Sequence, residues 1–187
     1  MEKEHGWYIA VVTPNTEKSC EKKLKALWEK ESDTHFNSYV PIQREMHEWP
    51  STGKRVWIDK VLCPCYLFIQ CTEQVRYKIA CNAKFILHFL KDRARVDESG
   101  RTEFAVIPHD QMQNFRRMVG NAEMPVTLDP SRLHIGSKVR VKSGRLAGME
   151  GYLYRVPDGS DKLAIMLDIL GCAKVDYPIS LLELIDD

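Results

Sequence analysis

An α+β domain followed by a small all-β domain is the fold class that the sequence predicts. Three observations predict it. Over residues 1–120, strand-like and helix-like stretches follow the order β-α-β-β-β-α-β-α without strict βαβ alternation. That mixture favours an antiparallel sheet flanked by helices. Beyond it helical periodicity vanishes, and about 55 residues with turn signals every eight to twelve positions fit a small β-barrel. Between the two, residues 121–132 carry Pro125, Asp129 and Pro130 and little apolar periodicity, as a linker does. The predicted domains are therefore 1–120 and 133–187. A length of 187 residues, at about 100–200 per domain, accommodates them.

The first strand is Trp7-Tyr8-Ile9-Ala10-Val11-Val12-Thr13, aromatic and β-branched, and ended by Pro14-Asn15. Its composition predicts burial on both faces. Thr16 is an N-cap candidate for a helix that runs through Lys30, with Cys20, Leu24, Leu27 and Trp28 on one face and Lys18, Lys22, Lys25 and Glu29 on the other. Tyr39-Val40-Pro41-Ile42 leads into a strand ending at Trp49, and Arg55-Val56-Trp57-Ile58-Asp59 returns, so a hairpin turns at Pro50 to Lys54. Tyr66-Leu67-Phe68-Ile69 is an apolar strand, Gln74 to Cys81 a short helix begun by Thr72 or Glu73, and Phe85 to Leu90 another strand. Lys91 to Gly100 reads as charged and turn-like. Asp110 starts a helix with Met112, Phe115 and Val119 on one face, and Gly120 is its natural stop. In the last domain Gly144, Gly148, Gly151, Pro157-Asp158-Gly159 and Gly171 punctuate short strands.

Lys plus Arg number 27 and Asp plus Glu 26, a net charge of +1, which excludes a wholly basic nucleic-acid binder. The charge is split: residues 1–120 hold 19 basic and 16 acidic groups, net +3, and residues 121–187 hold 8 and 10, net −2. The two domains thus need not share a type of partner. No apolar run approaches the ~20 residues that span a bilayer. The start, Met1 to Gly6, has no apolar segment behind a basic one, so a secretory signal is not expected. A cytoplasmic protein with reduced thiols at Cys20, Cys63, Cys65, Cys71, Cys81 and Cys172 is the expectation. Cys63-Pro64-Cys65 lacks a second pair at zinc spacing, so no metal and no cofactor are expected. The six histidines are scattered, and no H-E-x-x-H, G-x-S-x-G or P-loop occurs. A Cys63 or Cys65 thiol beside His88 has no supporting signature, so no enzyme is expected.

Gly136-Ser137-Lys138-Val139-Arg140-Val141, then Gly144-Arg145-Leu146-Ala147-Gly148-Met149-Glu150-Gly151, has a physical logic. A strand reaches a turn at Ser143-Gly144, Leu146 plugs the end of the barrel, and Gly148 and Gly151 permit positive φ or close backbone approach. The stretch resembles the KOW motif of ribosomal proteins and transcription elongation factors. Trp7-Tyr8 opening the first strand, the basic helix after it and Pro64-x-Tyr66-Leu67-Phe68-Ile69 resemble the NGN domain of NusG-type proteins. NGN, linker and KOW together resemble the NusG family over residues 6–187. Cys63 and Cys65 replace the aromatic residue and the glycine usual around the proline. The chain looks more like specialised paralogs, RfaH and the UpxY-type antiterminators of polysaccharide operons, than like the housekeeping factor.

The resemblance implies an NGN-like domain followed by an SH3-like KOW barrel. It implies a transcription elongation or antitermination factor that docks on the β′ clamp helices of RNA polymerase, reaches the β subunit and suppresses pausing. The matching docking residues are Val11, Cys63, Tyr66 and Phe68. Tyr66 and Phe68 lie two apart and share a face, so they are either both core or both pocket. Lys18, Lys22 and Lys25 would approach non-template DNA, unless they are only a solvated helix face. Arg76-Tyr77-Lys78 would offer cations to phosphates and a ring to bases, unless Tyr77 packs inward. In the KOW domain Ile169-Leu170-Gly171 matches the site that touches Rho or a small-subunit ribosomal protein, with leucine where phenylalanine is common. Leu170 is otherwise barrel core. The alternative function is a ribosome-associated RNA-binding KOW protein, whose expected positive charge is missing.

Overall fold

The computed structural model describes residues 6–28, 36–130, 135–156 and 161–185. The predicted turn at Pro157-Asp158-Gly159 lies outside them, as do Glu29 and Lys30. The chain forms two compact units: Met1–Val40 with Cys63–His109, and Pro41–Leu62 with Asp110–Asp187. In chain order the elements are β1 (Trp7–Val12), α1 (Glu17–Trp28), β2 (Asn37–Tyr39), β3 (Ile42–Glu48), β4 (Arg55–Val61), β5 (Tyr66–Gln70), α2 (Glu73–Asn82) and β6 (Ile86–Phe89). Then come β7 (Lys91–Val96), β8 (Thr102–Phe104), β9 (Val106–Ile107), α3 (His109–Asn121) and β10 (Thr127–Asp129). The last strands are β11 (Ile135–Val141), β12 (Glu150–Arg155), β13 (Asp161–Leu167), β14 (Gly171–Asp176) and β15 (Leu182–Leu184).

The first unit is built on β1. Trp7 and Ile9 on one face and Ala10 and Val12 on the other are buried, as predicted, while Tyr8 and Val11 are half-buried, and β1 pairs antiparallel with β5, β6 and β9 in a sheet ordered β2-β5-β1-β6. Residues facing each other across an antiparallel pair share a sheet face. The register Ile9↔Phe68 and Val11↔Tyr66 therefore puts these four on one face. α1 buries Glu17, Cys20, Leu24 and Trp28 at helical spacing, while Leu27, expected on that face, is half exposed. Thr16 does not cap the helix with its hydroxyl, which donates instead to the Thr13 carbonyl at 2.6 Å. α2 has Thr72 as its N-cap, the hydroxyl accepting the Val75 N–H at 3.3 Å. Residues 91–100, expected as a turn, make most of a hairpin. Asp97 Oδ1 accepts the N–H groups of Ser99 and Arg101 there, and Gly100 takes φ +76°. β7 is exposed along nearly its whole length, so it leaves no apolar period to read.

In the second unit β3 and β4 pair from Ile42↔Val61 to Glu48↔Arg55. The sequence run Tyr39 to Ile42 is split at Pro41, which has no N–H for the ladder. β2 thus ends in the first unit's sheet, and β3 begins the hairpin. Gln43 is buried and ties the hairpin to the segment after α3. Its Oε1 accepts the Val126 N–H at 2.9 Å, and its Nε2 donates to the Val126 carbonyl at 3.1 Å. α3 continues through Gly120 to Asn121. The segment 121–132 is not wholly linker-like, because β10 joins β14 as an edge strand. The sheet runs β10-β14-β13-β12-β11-β15, antiparallel throughout. Leu146 is buried, Gly148 takes φ +77°, and a Cβ on Gly151 would come within 2.5 Å of the Ala164 carbonyl. These glycines behave as their spacing predicts.

Candidate functional site

Three surfaces carry the residues singled out from the sequence. The first lies at the end of β1 and β5. Tyr66 is delivered by the turn Cys63-Pro64-Cys65, in which Cys65 takes φ +69°. Such a left-handed non-glycine residue needs support. Glu17 supplies it: this buried carboxylate, in the first turn of α1, accepts the Cys65 N–H at 2.7 Å and the Asn15 N–H at 3.2 Å. The Val12 N–H donates to the Cys65 carbonyl at 2.9 Å, closing the turn onto β1. Glu17 is the positioning residue that sequence reasoning missed. Its only signal was an acid at a helix start, where the macrodipole also favours it.

Tyr66 and Val11 are half-buried, whereas Phe68 is 0% exposed with its ring against Tyr39, and Cys63 is buried. Phe68 and Cys63 are therefore core, a correction to their place in the docking set. Tyr66 and Phe68 share a face, yet one is half-buried and the other core. Sharing a face does not equalise burial when one residue starts the strand and the other sits in its middle.

Burial pushes the Cys63 and Cys71 thiols from 9.0 up to about 12, and it does the same to the Tyr8 phenol from 10.0, with Glu73 adding to it. Proton loss at Cys63 is therefore unfavourable, which opposes any role for it as a thiolate nucleophile. An unfolded chain releases these thiol protons near pH 9, while the fold holds them. Stability from this source is whole below pH 9 and is lost as pH rises towards 12. We expect the urea midpoint to fall between pH 9 and 10.5 in wild type. It should fall less steeply in a Cys63→Ala, Cys71→Ala variant, and equal slopes would count against the buried-thiol account.

The second surface involves the helices of the first unit. Arg76-Tyr77-Lys78 divides on α2. Tyr77 is 65% exposed and Lys78 exposed, so the ring faces outward. Arg76 is only 5% exposed, which corrects its reading as a phosphate-facing cation. Its guanidinium stacks 3.6 Å from the ring centre of Phe104, with Phe89 at 5.3 Å and Tyr8 at 5.9 Å. Its Nε and Nη2 donate to Glu73 at 2.8 and 2.6 Å. The charge on this side of α2 is thus structural. On α1, Lys22 is exposed, Lys18 half-buried and Lys25 paired with Glu21 at 2.8 Å. The structure also brings Lys23 and Lys84 to one groove floored by Leu27 and Phe85, an arrangement the helix period alone did not reveal.

The third surface is the turn between β13 and β14. Ile169 takes φ +77°, an outlier for a β-branched side chain, and the Leu170 N–H donates to the Leu167 carbonyl at 3.1 Å. The Asp168 N–H donates to Gln111 Oε1 at 2.8 Å. Ile169 and Leu170 are half-buried at the tip, but Gly171 is buried. Its role is conformational, which corrects its reading as a contact residue. No cluster of metal-ligating side chains occurs among the described residues, and none of their helices is long and apolar enough to cross a membrane.

The fold is thus an antiparallel α+β unit with a second, sheet-rich unit, each presenting aromatic or aliphatic side chains at strand ends and turns. The family described as NusG, transcription termination factor nusG, matches residues 5–131. The chain belongs to the NusG family, a family of transcription factors. Similar solved structures include "Domain interaction in Thermotoga maritima NusG", at 16% identity and TM-score 0.49, covering 97% of each chain. Two structures of the MjSpt4:Spt5 complex, conformations A and B, are similar at 9% identity and TM-score 0.33. They cover 96% and 97% of this chain and 97% of theirs. No curated protein matches the chain.

Proposed function

We propose that the chain is a transcription elongation or antitermination factor that binds RNA polymerase and suppresses pausing or termination without catalysing a reaction. The family match over residues 5–131 carries this reading, because it covers most of the first unit, including the turn that presents Tyr66. Tyr66 and Val11 would form the contact with the β′ clamp helices. The factor would then reach the β subunit across the cleft, with Lys18, Lys22, Lys25, Tyr77 and Lys78 towards non-template DNA. A buried-core aromatic cannot serve as an anchor, but a half-buried tyrosine with a free hydroxyl end can. Residues 133–187 would be a KOW domain of SH3-like barrel form, joined through 121–132, that takes a protein partner, Rho or a small-subunit ribosomal protein, through Ile169 and Leu170. The net charge of −2 over residues 121–187 opposes binding by many phosphate contacts.

The reading extends to a cytoplasmic, operon-specific paralog of the RfaH or UpxY type, acting at loci such as polysaccharide operons. A coupling of only ~1–3 kcal/mol between factor and elongating polymerase would change pause probability severalfold. Pull-down of RNA polymerase by the full chain tests it. Tyr66→Ala should weaken retention at least tenfold, the loss typical of an interface hot spot, and leave the melting temperature nearly unchanged. Equal retention of both proteins would remove the docking mechanism. Polymerase occupancy across the genome then separates a housekeeping factor from one confined to a few long operons.

A further inference from the structure

β10 covers the outer edge of β14 with three residues, paired from Thr127↔Lys174 to Asp129↔Cys172. Pro125 and Pro130 flank it, and proline has no N–H with which to extend the ladder. The two ends of this short strand are held differently. Val126, just before it, is buried and bonded through both backbone groups to Gln43, at 2.9 and 3.1 Å. Asp129, at the other end, is half-buried and clasped through its carboxylate. Oδ2 accepts the Tyr154 hydroxyl at 2.5 Å and Lys174 Nζ at 2.8 Å. Between these ends little apolar surface is buried, since Thr127 is exposed and Leu128 half-buried. The other neighbour of β14 is unlike it: β13 pairs along its whole length and buries Leu163, Ala164, Ile165 and Leu167.

A strand held mainly by hydrogen bonds opens at lower cost than one held by apolar burial, because water replaces the bonds it loses. We propose that β10 is a releasable cover, hinged at Val126 and latched at Asp129, and that its release offers the edge of β14 to an extended segment of a protein partner. An uncovered edge presents a row of unpaired N–H and C=O groups, which an incoming strand can pair. The seat that β10 occupies defines that segment: an aliphatic residue followed by an acid, the acid meeting Tyr154 and Lys174 as Asp129 does. The edge begins at Gly171, directly after Ile169 and Leu170. The partner half of the inference therefore rests on reading that turn as a contact site, whereas the latch does not.

Amide exchange on the full chain reads the latch. The β10 amides should exchange at least about tenfold faster than those joining β12 to β13, and should stay nearly insensitive to low urea, as a small local opening does. Asp129→Ala should speed β10 exchange at least about tenfold, the loss of a charge-assisted clasp. Tyr154→Phe, which keeps the ring, should speed it severalfold. A synthetic peptide of residues 124–130, followed by shifts of the Cys172 and Lys174 amides, reads the partner half. Wild type, whose own β10 is tethered beside the edge, should bind it at least about fivefold more weakly than Asp129→Ala does. A peptide with asparagine in place of the aspartate should bind that variant at least about fivefold more weakly. Amides of β10 and of β12–β13 that exchange alike and respond alike to urea overturn the latch, as do unchanged exchange in Asp129→Ala and equal peptide binding by the two chains. Absent peptide binding, equal binding of the two peptides, or a concentration-dependent dimer of Asp129→Ala, which would give the edge to a second copy, overturns the partner segment. None of these readings involves polymerase, so their failure leaves the transcription reading standing, and lost polymerase retention leaves the latch standing.

Discussion

Gly171→Ala is expected to unfold the edge of the second unit's sheet and to lower its stability by about 3 kcal/mol or more. Gly171 takes φ +94°, where a β-carbon alone costs about 1–2 kcal/mol. A Cβ placed there would lie 2.1 Å from the Asp129 carbonyl oxygen and 2.6 Å from Pro130 Cα. Both are backbone atoms, so relief requires β10 to leave β14. That would also open the Asp129 contacts, where the Tyr154 hydroxyl donates at 2.5 Å and Lys174 Nζ at 2.8 Å. At about 2–4 °C per kcal/mol for a chain of this size, the melting temperature should fall by roughly 10 °C. Gly120→Ala is the internal control. That glycine is helical, exposed and open to a methyl group, so the change should stabilise by about 0.5–1 kcal/mol. Equal melting temperatures for the two variants would mean that the close approach at Gly171 is not what shapes the turn.

Arg76→Ala is expected to cost about 2–4 kcal/mol in the first unit. It removes two charge-assisted hydrogen bonds to Glu73, of which such groups contribute roughly 1.5–3 kcal/mol. It also removes a desolvated stack on Phe104 worth about 1–2 kcal/mol. The half-exposed Glu73 recovers part of the loss in water, which keeps the figure below that of a fully buried pair. Arg76→Lys should not restore stability, since an ammonium cannot stack flat or bond in a fork. A volume-matched Arg76→Met with Glu73→Gln should regain more than half, because nothing buried is then left charged. Urea unfolding by circular dichroism reads all three. A loss below about 0.5 kcal/mol for Arg76→Ala would show the guanidinium to be solvated after all.

These two sites mark where the sequence could be read and where it could not. Gly171 was visible as punctuation in a strand-rich stretch, but its neighbours at Asp129 and Pro130 were assigned to a linker. Three residues with no apolar alternation do not announce an edge strand, and β10 exists only because β14 offers it an unpaired edge. Arg76 was read by charge as a surface group. Its burial depends on Phe89 and Phe104 arriving from two other elements, which no local window contains. The same holds for Phe68 and Tyr66, alike in type and face but differing in burial.

By itself the sequence determined the order of the main strands and helices, the break in pattern after α3, the glycines of the second sheet and membership of the NusG family. Hydrophobic periodicity, turn residues and motif spacing are local, and the chain states them directly. Only the tertiary structure decided which cations reach solvent, that Glu17 braces the turn before Tyr66, and that Asp129 meets Tyr154 and Lys174. Those outcomes depend on what residues far apart in the chain place beside each side chain. Burial and electrostatics are properties of that neighbourhood rather than of the residue.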